Sequence, residues 1–259
     1  QAQGLYPLVY YPHNLHFLWA AESLQGNGKG AIEAAEKVAN KVQVTLAEDI
    51  HFLQDFMSVP IQSYVRFGKW NDILTTPPPG EHLLHATMMW HYARGMALTR
   101  KGNLDAAGHE LAAVKKIMHA SAAETMLAAY TNPTSNVGKV AYEALAGEMA
   151  AADGQMNKAI EHLSAAVKHE DALAYQEPAA WHAPARHFLG AVLIESGRMA
   201  DAEAVYRKDL EKNRMNGWSL FGLHQSLLAQ GKSAEAAKVK KQFVKAWARA
   251  DVALTSSRL

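Results

Sequence analysis

A chain of 259 residues, 49% hydrophobic and 20% charged, can bury a sizeable core and is globular rather than disordered. Its 26 basic and 25 acidic residues leave a net charge of +1, which excludes the strong field that gathers nucleic acid or an acidic membrane surface. Cysteine is absent, which excludes disulfides, thiolate catalysis and cysteine-ligated metal centres.

No apolar run approaches the roughly 20 residues needed to span a bilayer, so no membrane insertion is expected. Alanine is plentiful and β-branched runs are scarce, which favours helix over strand. The chain opens at Gln1 without a signal-peptide pattern, and the expectation is a trimmed or partial chain lacking an upstream segment.

The first element begins in "YYPHNLHFL", residues 10–18. Pro12 suits the first turn of a helix, where a missing N–H costs nothing. Leu15 and Leu18 are expected to face the second helix of their own pair, with His13 and His16 on the opposite, inner side. This helix ends at "GNGKGA" from Gly26. The same turn recurs as "GKWNDI" from Gly68, "GNLDAA" from Gly102, "GQMNKA" from Gly154, "GRMADA" from Gly197 and "GKSAEA" from Gly231. Each glycine suits a left-handed cap that other residues enter only at a cost. Five residues on stand Ala31, Ile73, Ala107, Ala159, Ala202 and Ala236, mostly small, so two helices can approach closely. Gly95, Gly147 and Gly190 repeat a small residue seven before three of the turns.

Three segments interrupt the repeats. "LTTPPPGEH" at 74–82 carries three prolines and should cut the second helix of its pair short. "SAAETMLAAY" at 121–130 reads as an additional helix and "TNPTSNVG" at 131–138 as a loop. "EDALAYQEPAAWHAP" at 170–184 is a polar and aromatic insert. No sustained alternation of period two marks a strand.

Two intervals between turn glycines, Gly68 to Gly102 and Gly197 to Gly231, are 34 residues, the tetratricopeptide period. With the small residues around the turns, the chain resembles the tetratricopeptide (TPR) family of helix-turn-helix repeats. The resemblance is strongest in the last two repeats and weakest in the first two. It implies an all-α, right-handed α-solenoid of about six helix pairs with irregular inserts, one domain over residues 1–259. The strings "YPHNLHFLWAA", "WHYARGMAL", "EDALAYQEPAAW" and "NGWSLFGLHQSLLAQGK" are similar to a group of bacterial TPR-like proteins of undefined activity. In that group the pattern forms the C-terminal portion of a longer chain. The similarity implies a soluble bacterial protein; the compartment stays open between cytoplasm and periplasm, with the cytoplasm favoured.

In such stacks the first helix of each pair lines a concave face. Positions 13, 10, 6 and 3 before each turn share one helical face. They include His13, His16, Asp55, Gln62, Met89, Tyr92, Met96, Glu148, His187, Trp218, Phe221 and Gln225. None of the 24 such positions is Lys or Arg. That departs from the basic cluster with which TPR co-chaperones hold a carboxylate, and it disfavours an anionic ligand there. The expected function is non-enzymatic: binding a protein or peptide, or the missing N-terminal half, in an aromatic, methionine- and histidine-lined groove. The competing reading has these residues packed against the inserts or against the missing N-terminal half.

The chemical alternative is a metal or small-molecule site, possibly enzymatic, near the first helix and the insert. His13 and His16, like His82 and His85, have chelating i,i+3 spacing, and Asp55 and His187 are the candidate further ligands. A metal is not the expectation, and no cofactor is expected. Glu177, Trp181 and His182 of the insert, with His187, could form an acid–base cluster. No HExxH helix, nucleophile elbow or full phosphate loop occurs. Lys238, Lys240, Lys241, Lys245 and Arg249 read as the solvated face of a terminal helix, with Phe243 and Trp247 on its buried stripe.

Overall fold

The computed structural model describes residues 10–80, 82–128 and 130–259. Within them the protein is all-α. Six helix pairs follow one another: α1 (Tyr11–Leu24) with α2 (Gly28–Ala39), α4 (Leu53–Arg66) with α5 (Trp70–Thr75), α6 (Leu84–Arg100) with α7 (Leu104–Met118), α9 (Thr134–Ala152) with α10 (Met156–Asp171), α11 (Ala185–Glu195) with α12 (Met199–Lys212), and α13 (Gly217–Ala229) with α14 (Ser233–Ala246). Two short helices, α3 (Val44–Asp49) and α8 (Ser121–Thr125), join them. No helix of the described residues is long and apolar enough to cross a membrane.

Every expected turn forms. Gly26, Gly68, Gly102, Gly154, Gly197 and Gly231 all have φ between 65° and 76°. The residue after each glycine donates its N–H to a carbonyl five positions back, as Asn103 does to Leu98 at 2.9 Å and Arg198 to Leu193 at 2.8 Å. That pairing satisfies the last carbonyls of the first helix and reverses the chain. The residues five beyond the glycines, from Ala31 to Ala236 and including Ile73, are fully buried. Asn27 and Asn103 cap the second helices of their pairs by accepting from Gly30 and Ala106.

Two expectations fail locally. The additional helix stops at Thr125, and Leu127–Ala128 (β1) then pairs antiparallel with Asn132–Pro133 (β2). Tyr130 makes the tight turn between them at φ 73°. The expected loop at 131–138 is mostly helix, because α9 already begins at Thr134. Two-residue strands are too short for any alternation to show in sequence.

The first helices touch in order, α1 on α4, α4 on α6, α6 on α9, α9 on α11 and α11 on α13. The stack then closes, because the sixth pair returns to the first. Trp218 of α13 donates Nε1–H to the Ser23 carbonyl at 2.9 Å. Asp251 accepts from the Gly28 and Lys29 N–H groups at 2.6 and 2.9 Å, which caps α2 from the far end of the chain. Arg249 pairs with Glu22 at 3.3 Å.

Candidate functional site

The first-helix face is not an open groove. His16, Asp55, Met89, Tyr92, Met96, Glu148, His187 and Trp218 are all buried. Two segments of the same chain cover them. The insert lays Trp181 against Tyr92, ring centres 5.2 Å apart, and His182 flat on Trp19 at 3.7 Å. The tail after α14 lays Thr255 against Gln225, Ser257 against the His187 carbonyl and Tyr206, and Arg258 between Glu148 and Glu195. Phe221 is half-buried against Phe243. Gln62 is half-buried and donates to Ser58 at 2.8 Å. The face that the sequence offers to a peptide is therefore occupied by this chain's own residues.

The opening histidines follow the same logic. His16 is wedged between Trp19 and Phe56, and burial pulls its pKa down to about 4. His13 packs edge-on to Phe17 at 4.9 Å. Leu18, expected to face its own pair, is instead 47% exposed, whereas Leu15 packs on the core. Among the described residues no three His, Asp or Glu side chains form a metal-holding group. His82 goes to Glu48 at 2.9 Å, and His85 sits 3.6 Å from Asp55.

Nor is the interior uncharged. Arg66 and Arg100 each end a first helix two residues before its turn glycine, outside the face counted in sequence. Arg100 and Arg258 both pair with the fully buried Glu148. Arg66 donates to His187 Nδ1 at 2.8 Å and stacks over Trp218 at 3.9 Å. With Nδ1 facing the guanidinium, His187 turns Nε2 toward Asp209 at 3.2 Å and the Asn216 amide nitrogen at 2.6 Å. Asp209 also accepts from Ser219 at 2.6 Å and from Asn213 and Asn216 at 2.9 Å. The His187 side and those donors hold its carboxyl well below the usual range despite burial. Burial lowers Arg66 to about 9 and keeps His187 and His182 neutral.

A cleft opens where the insert meets α1 and the end of α12. It has two adjoining lobes of about 250 and 270 Å³. Both lobes are bordered by Glu170, Glu177, Trp181, Lys212 and Asn213, and the second reaches Phe17 and Leu24 of α1. Glu170 is buried at the end of α10 and accepts the Ala185 N–H at 2.8 Å, capping α11. Burial nonetheless pushes its carboxyl up to about 7, with Asp209 adding to the rise and Lys212 and Arg186 opposing it. Glu177 is exposed and pairs with the Tyr175 hydroxyl, so it stands at the rim while Trp181 and His182 form the floor.

Sequence reasoning placed Glu177, Trp181, His182 and His187 in one neighbourhood but missed Glu170, Lys212, Asp209 and Arg66. Glu170 left a trace as the first residue of the insert, and Asp209 as an acidic residue in register with the apolar Ala202 and Tyr206 on one helix face. No protein-family model matches the chain, and no curated protein matches it in sequence.

Proposed function

We propose that the chain is a TPR-like, non-enzymatic binding protein. Its ligand cleft lies between α1, the 172–184 segment and the end of α12, rather than along the first-helix face. The ligand is a small molecule with a basic nitrogen on an aromatic or aliphatic body. The observation that carries this reading is Glu170. It is a buried carboxyl shared by both lobes, and its one hydrogen bond comes from a backbone N–H. A ligand ammonium would give it the counter-charge that burial leaves it wanting, while Trp181, Phe17 and Leu24 receive the apolar body. Each lobe alone falls just short of the size of pockets that hold small ligands, about 300–1,000 Å³, and the two together reach it.

Binding at the first-helix face would instead require expulsion of the tail and of Trp181. Calorimetric titration with 2-phenylethylamine and the neutral 2-phenylethanol tests the cleft reading. The amine should bind at least about tenfold more tightly, as a charge-assisted contact worth more than about 1.4 kcal/mol predicts. Glu170→Gln should remove that preference. Equal affinity for the two compounds, or an amine preference that survives Glu170→Gln, would refute it.

A further inference from the structure

Glu170 and Lys212 border both lobes of the cleft, so a ligand lying across them meets a charge of each sign. The two carboxyl oxygens of Glu170 differ. Oε2 accepts the Ala185 N–H at 2.8 Å. Oε1 has no hydrogen bond and, unlike the sealed orphans of the interior, keeps accessible surface.

The neighbouring cations differ as well. Arg186 is held by Asp171 through two bonds at 2.8 and 2.6 Å. Lys208 goes to Glu211 at 2.6 Å. Lys212 makes no hydrogen bond or ion pair to any described residue, although its charge acts on Glu170 through space. The two groups therefore border the cleft without closing on each other, further apart than the 4.0 Å of an ion pair. Asn213 follows Lys212 and also borders both lobes. Its amide nitrogen donates to Asp209 Oδ1 at 2.9 Å. The reverse orientation would set oxygen against a carboxylate, so the assignment is chemically forced. That leaves Asn213 Oδ1 as an acceptor that takes no donor and is not sealed from solvent. An ammonium between Glu170 Oε1 and Asn213 Oδ1 would use two of its three N–H groups there.

We infer that the ligand of the cleft is a free α-amino acid with a large apolar side chain. Its ammonium goes to Glu170 and Asn213, its carboxylate to Lys212, and its side chain to Trp181, Phe17 and Leu24. This rests on the cleft function proposed above and narrows the ligand to a zwitterion. A simple amine leaves Lys212 without a partner. A peptide N-terminus carries a neutral amide in place of the carboxylate and loses that contact. The lobe toward α1, walled by Phe17, Leu24, Pro178 and Pro184, is the more apolar one and receives the side chain. The charged end stays beside the residues that the lobes share.

Calorimetric titration of the whole chain, above the Glu170 pKa of about 7, compares 2-phenylethanol, 2-phenylethylamine and both enantiomers of phenylalanine. The tighter enantiomer should bind about fivefold more tightly than 2-phenylethylamine, the scale of one partly exposed ion pair. Three points of attachment distinguish the hands, so the other enantiomer should lose a similar factor. Lys212→Met, a change at an exposed position, should remove the gain over 2-phenylethylamine and keep the amine's preference over the alcohol. Phenylalanine no tighter than 2-phenylethylamine, enantiomers of equal affinity, or a gain that survives Lys212→Met would each overturn the inference. In those cases an amine still preferred over the alcohol leaves the cleft function standing. Loss of that preference in the wild-type chain overturns both.

Discussion

Substituting Gly222 by alanine sets two effects of opposite sign against each other, and the geometry decides between them. In a helix interior, Gly to Ala is worth about 1 kcal/mol of stabilisation. At Gly222 the added Cβ would stand 2.2 Å from Cζ and 2.5 Å from Oη of Tyr206. The ring would have to retreat by more than 1 Å to restore ordinary contact at 3.4 Å. It has nowhere to go. On its other side the Gly190 position lies as close, since a Cβ there would stand 2.3 Å from the same Cζ. Retreat would also break the 2.7 Å bond from the hydroxyl to Ser257 and loosen the tail. Overpacking a rigid site costs about 1–3 kcal/mol, and a ring clamped on both faces belongs at the upper end or beyond. The net expectation for Gly222→Ala is a loss of about 2 kcal/mol. For a chain of this size that lowers the melting temperature by roughly 4–8 °C. Circular dichroism melts and urea titrations of Gly222→Ala, Gly190→Ala and the double variant measure it. The double variant should cost less than the two losses added, because a ring already expelled by one methyl offers little resistance to the second. In a Tyr206→Ala background, Gly222→Ala should become stabilising. The reasoning is refuted if Gly222→Ala in the wild-type chain matches or exceeds wild-type stability.

Arg258→Ala should cost about 3 kcal/mol in urea titration, because it leaves the fully buried Glu148 with Arg100 as its one cation; a loss under about 1 kcal/mol would mean the tail is not part of the core. Glu170 has a folded pKa of about 7, above its ordinary 4.5, so the neutral form is the one the fold favours. Its contribution is whole below about pH 4.5 and is lost as pH rises to 7, on the order of 3 kcal/mol. Glu170→Gln should therefore gain on wild type across that window in stability measured against pH, and parallel profiles would contradict the assignment. His16 has the opposite sign. Its folded pKa of about 4 lies below 6.5, so its contribution is present above pH 6.5 and is lost as pH falls towards 4. His16→Phe, which keeps a ring between Trp19 and Phe56, should flatten the acid limb by about one proton, and an unchanged slope would assign that limb to His182 or His187.

The helix pairs were legible because their signals are local. A glycine with φ near 70° and a small residue five positions later are demands made within one turn of chain, and six copies of the pattern left little freedom. Gly147 and Gly190 could be read for the same reason, since Leu163 and Tyr206 of their own second helices stand where a Cβ would go, whereas Gly95 shared the spacing although it meets Leu145 of the next pair. Gly222 escaped notice because its partner Tyr206 belongs to the preceding pair and no fixed spacing marks it. The insert could be recognised as an interruption, and its aromatic residues as anchors. That it covers the first-helix face could not, because the covering contacts join Trp19 to His182 and Tyr92 to Trp181, residues far apart in sequence with no fixed spacing. The interior arginines were missed because the face was counted at positions 13, 10, 6 and 3 before the turn. Arg66 and Arg100 enter from position 2, with stems long enough to bring their heads inward.

Closure explains why the candidate site sits where it does. In an open stack the first helices present a solvent-facing surface, and polar or aromatic residues there are free to bind. Here Trp218 reaches Ser23 and Asp251 caps α2, so the first and sixth pairs share one seam. The inner face then becomes an interior, subject to the rule that buried polar groups need partners. Asp209 meets it with four donors, and Glu148 meets it with two arginines. Arg66, Tyr92, Trp181 and His182 do not, and each leaves a buried polar atom without a hydrogen-bond partner. Glu170 is the corresponding case at the mouth, where the chain between α10 and α11 leaves its helical course and a buried carboxyl takes a backbone N–H rather than an ion pair, with Lys212 bordering the same open cleft. The cleft arises from residues 172–184 of the insert, where the chain leaves α10. A deletion that joined α10 to α11 by a short turn would keep the repeat pattern while removing the cleft and the cover over Tyr92 together.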